Sequence, residues 1–140
     1  MRVIFLDFDG VLHPVGTQPG SPEAFRWIHI LCRLLVDPGD VKLIVHSTWR
    51  YSYRESELRK LIQPLGFLLA GVVPPMPREL AIETVLQSNR VSIRSHLVLD
   101  DSPDEFCHGH VNLVVCDPEL GISAKSVQVA IEQWLRASAP

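Results

Sequence analysis

"RVIFLDFDGVLHP", residues 2–14, is an apolar run that stops on two aspartates one residue apart, Asp7 and Asp9, with Gly10 directly behind them. Residues 3–6 carry no polar position on either side of a strand's pleat, which predicts a strand covered on both faces. Short apolar runs of the same kind recur at 41–45, 67–73, 96–99 and 111–115. Between them lie segments with helical spacing, at 22–36, 54–62, 77–87 and 124–135. Strand and helix in alternation predict an α/β fold: a doubly wound, Rossmann-like domain with a mainly parallel sheet of about five strands. Proline at 22 and 77 near helix starts, "PGD" at 38–40 and Gly66 at helix ends agree with that division.

With 140 residues the chain has room for one core, so residues 1–140 are expected to form a single domain. Hydrophobic residues make up 46 % and charged residues 21 %, a composition that excludes disorder. The longest apolar runs are strand-sized and the N-terminus enters the acidic motif at once, which predicts neither a membrane span nor a signal peptide and makes the cytoplasm the expected location. Cys32, Cys107 and Cys116 are scattered and odd in number, as reduced thiols are. A formal charge of -3 rules out a generally basic surface, so a nucleic-acid contact would have to be local.

In an open α/β sheet ligands collect beyond the carboxyl ends of the strands. Those positions hold Asp7 and Asp9 after the first run, Ser47 and Thr48 after the second, and Asp100 and Asp101 after the fourth. Carboxylates gathered at one edge repel each other unless a hard cation sits among them, and Mg²⁺ prefers one or two carboxylates together with water and a substrate phosphate. A hydroxyl pair leading into a helical turn at Trp49 and Arg50 suits a phosphoryl oxygen, so Ser47, Thr48 and Arg50 are candidate substrate contacts. Of two such carboxylates, one can attack phosphorus while the other handles the proton of the leaving group.

"DFDGVL" resembles the first motif of the haloacid dehalogenase (HAD) superfamily of phosphohydrolases, "LIVHSTWR" its second and "HLVLDDSPDEF" its fourth. The resemblance implies Asp7 as nucleophile and Asp9 as general acid/base, with the Asp9 carbonyl on the metal. It implies Ser47 on the phosphoryl oxygen ahead of Thr48, Asp101 bound to Mg²⁺ directly and Asp100 supporting it through water. The third motif is a lysine or arginine at the start of the helix before the fourth strand. No lysine is present there, and Arg78 in "PPMPRELAIETVL" stands in its place. Arg78, "STWR" and a late "DPELGIS" resemble the small HAD domain of bacterial Swiss-army-knife RNA repair proteins.

Capped members of the superfamily carry insertions after the first motif or between the second and third. Both intervals here are too short for a large cap domain, which by resemblance implies an open site. The expected activity is a Mg²⁺-dependent phosphomonoesterase working through an aspartyl phosphate, with a phosphorylated nucleic-acid end or a nucleotide as substrate. The same residues would serve transfer to an acceptor other than water. The alternative from another class is a non-catalytic module that binds Mg²⁺ and phosphate and acts through a protein partner.

Other polar residues have plainer readings. His13 and His46 flank the site, where a histidine can touch substrate or shuttle protons but is as often a packed or solvated bystander, and both are left out of the catalytic set. "CHGH" at 107–110 lacks a second ligand cluster at an obvious spacing, so it reads as a polar loop. Trp27 and Trp134 read as core, and Trp49 as a candidate contact beside the hydroxyl pair. Lys42, Arg50, Arg54, Arg59 and Lys60 against Glu55 and Glu57 form a local basic excess that reads as a solvated helix face.

Overall fold

A computed structural model describes residues 1–140. Five strands, β1 (Arg2–Leu6), β2 (Val41–Val45), β3 (Leu69–Val72), β4 (Ser95–Asp100) and β5 (Leu113–Val115), form one all-parallel sheet in the order β3-β2-β1-β4-β5. Four α-helices accompany it: α1 (Ile28–Leu34), α2 (Glu55–Leu61), α3 (Arg78–Ser88) and α4 (Lys125–Ala137). None is long and apolar enough to cross a membrane.

Side chains alternate across the pleat as the strand period of two requires. Ile4 and Leu6 of β1, Leu43 and Val45 of β2, and Leu97 and Leu99 of β4 join the larger core, to which α1, α2 and α4 bring Leu31, Leu58 and Ile131. Val3, Phe5, Ile44 and Val98 face the opposite way, into a smaller core closed by Ala81 and Ile82 of α3. From β1 the chain runs outward on one side through β2 and β3, then crosses by α3 to β4 on the other side of β1. The sheet reverses direction at β1, and the crevice such reversals open lies beyond its carboxyl end.

The expected helix over 22–36 is much shorter, because residues 22–27 form turns. Phe25 adopts φ +59°, while its N–H goes to His13 and that of Trp27 to the Leu12 carbonyl. Tertiary acceptors thus replace the i−4 carbonyls a helix would have used. The run at 67–73 loses its first residues to a 3₁₀ turn at Gly66–Leu68, and the run at 111–115 pairs only over Leu113–Val115. The helical turn expected at Trp49 and Arg50 is a single 3₁₀ turn, Thr48–Tyr51, and another, Pro103–Glu105, follows Asp101. Neither interval that could hold a cap adds a layer: 14–40 contains turns and α1, and 51–75 contains α2, the 3₁₀ turn and β3.

Candidate active site

Register brings the site together. Leu6 pairs with Val45 on one side and Leu99 on the other, so the next residues, Asp7, His46 and Asp100, stand side by side. By the same alternation all three belong on the face of the sheet that α3 covers. Asp7 is 2 % exposed, and His46 and Asp100 are completely buried. Asp7 Oδ1 accepts the Phe8 N–H at 2.8 Å. Arg78, the first residue of α3, donates Nη1 to both oxygens of Asp100 at 2.9 and 3.0 Å and approaches Asp7 Oδ2 at 3.4 Å.

Asp100 is spent on the protein. Oδ2 meets His46 Nε2 at 2.8 Å, and Oδ1 also accepts the Ser102 N–H at 2.8 Å. Burial works to raise its pKa, but the hydrogen bond and charge of His46, with Arg78 and Ser102, hold it below the usual carboxylate value. Burial pushes His46 down, against the pull of Asp100. Asp7 moves the opposite way: burial and the neighbouring charge of Asp100 raise it well above the ordinary range, against Arg78 and the Phe8 N–H. Asp101 is raised as well, by burial and by Asp100. The Cys116 thiol reports the same crowding, pushed up to about 12 by burial and by Asp100, Asp101 and Asp7, so it is no nucleophile at neutral pH.

Gly10 answers for its place in the motif. With φ +73° it turns the chain, and a Cβ there would come within 2.3 Å of Asp101 Oδ2, so only glycine lets the Asp101 carboxylate rest on the loop after β1. Apart from a 3.2 Å contact with the Ser102 hydroxyl, that carboxylate makes no hydrogen bond to a side chain. Asp9 is held differently. His13 Nδ1 accepts the Phe25 N–H at 3.0 Å, which leaves the imidazole proton on Nε2, and Nε2 donates to Asp9 Oδ1 at 2.7 Å. The Trp49 indole N–H donates to Asp9 Oδ2 at 3.2 Å. The loop carrying Asp9 is fastened from behind by the "GIS" turn, where the Ile122 N–H reaches the Val11 carbonyl and a Cβ on Gly121 would strike that oxygen at 2.4 Å.

The candidate residues after β2 divide. Ser47 is buried and caps the 3₁₀ turn, accepting the Trp49 N–H at 3.2 Å. Thr48 is exposed and lines a groove of about 390 Å³ together with Tyr51, Arg78 and Glu105. Arg50 borders that groove, but its Nη groups donate to the carbonyls of His46, Ser47 and Met76 and to the Tyr51 hydroxyl, making it a strut between the turn and the segment before α3. Along α2 the basic excess is neutralised in part, Arg54 by Glu57 and Arg59 by Glu55.

Two histidines set aside in the sequence thus touch the aspartates directly. The signal for His46 was positional: it follows β2 as Asp7 follows β1. His13 stands four residues after Asp9, but its reach depends on the loop curling back, with the Gly10 N–H on the His13 carbonyl at 2.8 Å. The "CHGH" segment is the polar loop its sequence predicts, and α3 sets Glu79 against His108 and Glu83 against His110.

A metal fits the donor set at the sheet end. Asp7, His46 and Asp100 bring ligand-type atoms within 4.8 Å of one another, yet His46 and Asp100 are already bonded to each other. Asp7 and Asp101 remain as the carboxylates that a cation can relieve, and hard oxygen donors of this kind suit Mg²⁺.

The family model for the HAD domain in Swiss Army Knife RNA repair proteins matches residues 3–127, from β1 into the start of α4. No curated protein and no solved structure matches the chain. The match takes in the four aspartates, Arg78 and the "GIS" turn that braces their loop, and the chain belongs to the family of HAD domains found in Swiss Army Knife RNA repair proteins.

Proposed function

We propose that this chain is a Mg²⁺-dependent phosphomonoesterase that works through a phosphorylated Asp7. The family is of phosphohydrolase type and generally uses Mg²⁺. One observation carries the reading: two carboxylates two residues apart have opposite surroundings. Asp7 is buried beside Arg78 and Asp100, whereas Asp9 has a side chain 37 % exposed and oriented by two N–H donors. That is the division of labour expected between a nucleophile and a proton carrier.

In the proposed reaction an Asp7 carboxylate oxygen attacks phosphorus in line. The bond from phosphorus to the leaving oxygen breaks, and Asp9 gives that oxygen its proton. Asp9 then takes a proton from water, whose oxygen attacks the same phosphorus; the bond to Asp7 breaks and the carboxylate is restored. Arg78 and a hydroxyl of Ser47 or Thr48 hold the phosphoryl oxygens, with the exposure of Thr48 favouring its direct contact and the cap made by Ser47 favouring a supporting role. Mg²⁺ held by Asp7, the Asp9 carbonyl and Asp101, with Asp100 behind them, would supply charge neutralisation and keep Asp7 ionised. Most of the rate would come from positioning and charge stabilisation.

The proposed substrate is a phosphorylated nucleic-acid end or a nucleotide. Support comes from a site with no cap over it and from the RNA repair setting named for the family, not from a basic track, since Arg54 and Arg59 are paired along α2. Phosphate release should be measured with and without Mg²⁺ on an aryl phosphate, nucleotides, sugar phosphates and oligonucleotides phosphorylated at either end. Mg²⁺-dependent release, highest on the oligonucleotides or nucleotides and absent in Asp7→Asn, is the expected result. No release from any substrate would favour the non-catalytic Mg²⁺ and phosphate-binding module.

A further inference from the structure

A surface cavity of about 450 Å³ lies away from the aspartates, against α3 beside Glu83 and His110. Next to it a second cavity of about 310 Å³ is bordered by Glu79, Glu83, Cys107 and His108. Glu79 and Glu83 are four residues apart on α3, which puts both carboxylates on one face of the helix. The loop between β4 and β5 returns across that face. His108 Nδ1 stands 2.9 Å from Glu79 Oε1 and His110 Nδ1 2.6 Å from Glu83 Oε1. The two imidazoles stack with centroids 5.7 Å apart.

We propose that Glu79, Glu83, His108 and His110 form a site for a divalent transition metal of the zinc class, separate from the carboxylates at the sheet end, which fastens the β4–β5 loop to α3. One ligand-type atom from each of Glu79, Glu83 and His108 lies within 4.8 Å of the other two, a spacing that small side-chain movements convert to bonds of about 2.0–2.2 Å, and His110, outside that trio, joins it through its 2.6 Å contact with Glu83. An independent observation points to a ligand. Glu79 is only 5 % exposed, its Oε1 already accepts both the backbone N–H and the ring of His108, and its Oε2 is buried with no hydrogen-bond partner. A buried carboxylate oxygen left without a donor costs the folded state, and a cation at this point removes that cost. Two imidazoles with two carboxylates select against Mg²⁺, which favours oxygen, and suit Zn²⁺. Cys107 is left out of the set, since its thiol is engaged with the Asp104 carbonyl.

The test is a calorimetric titration of Zn²⁺ into the chelator-stripped full chain, with Mg²⁺ in excess to occupy the sheet-end cluster. The proposal expects one Zn²⁺ per chain, an affinity reduced at least about tenfold in His108→Ala and in Glu83→Gln, and little change in Asp7→Asn. His108 and Glu83 are partly exposed, so both variants are expected to fold, with far-ultraviolet circular dichroism as the check. Absence of uptake in the presence of Mg²⁺, equal affinity in the wild type and His108→Ala, or a loss in Asp7→Asn that His108→Ala does not share would each overturn it.

Discussion

Asp7 and Asp9 are near neighbours in sequence, and their surroundings separate them. Asp7 is raised by burial and then by Asp100, so in metal-free protein its favourable contribution is complete below the unfolded carboxylate pKa and is lost as pH rises through the folded one. Asp101, raised in the same direction, behaves alike. Asp100, held low, contributes stability above its unfolded value and loses it as pH falls. Metal-free Asp7→Asn should therefore melt above the wild type at pH 8, by about 3 °C, with the gap closing toward pH 4 and shrinking when Mg²⁺ is added. Thermal melts in chelator across that range check it, and a variant less stable than wild type at pH 8 would contradict it. Trp49→Phe keeps the ring and removes one N–H from Asp9. Turnover of alkyl phosphates, whose leaving oxygen needs a proton, should fall on the order of tenfold, and that of activated aryl phosphates far less; equal losses on both would argue against a proton-transfer role for Asp9. The positions of the aspartates were legible because motif and strand end coincide, and that of Arg78 because it opens the helix before β4. His13 and His46 were not, since a histidine's role depends on which acceptor the fold brings to it.

At the scale of elements, strand register and one helix start account for the site. Asp7 and Asp100 meet because β1 and β4 pair in step, and Arg78 meets both because α3 begins there. Burial opposes the Arg78 charge, but Asp7 and Asp100 outweigh it and raise its pKa further. Removing it should cost transition-state charge stabilisation: Arg78→Ala is expected to lower kcat/KM by roughly 10²–10³-fold, with Arg78→Lys recovering part of the loss. Steady-state kinetics decide this, and a near-normal Arg78→Ala would remove Arg78 from the machinery. The runs at 3–6, 41–45 and 96–99 were readable as strands because apolar residues on both faces leave few alternatives. The stretch at 22–27 misled because its helical spacing says nothing of the acceptors, His13 and Leu12, that capture its N–H groups. The "CHGH" segment was readable as a polar loop, but not its partners, which lie more than twenty residues away on α3.

Across the whole molecule, the reversal of strand order at β1 opens one crevice, and no inserted layer covers it. Three helices pack on one face and α3 alone on the other, so the face carrying Asp7, His46 and Asp100 is also the one closed by the helix that supplies Arg78. The alternation of apolar runs and helical segments made this architecture legible. The openness of that crevice was legible only in the negative, from intervals too short to build a cap. The most direct test of the account is mass analysis of protein mixed with a phosphomonoester it hydrolyses and quenched in acid within one turnover. A phosphoryl increment on the peptide carrying Asp7, dependent on Mg²⁺ and absent from Asp7→Asn, is the predicted result. Turnover with the increment on another residue, or undiminished turnover in Asp7→Asn, would contradict it.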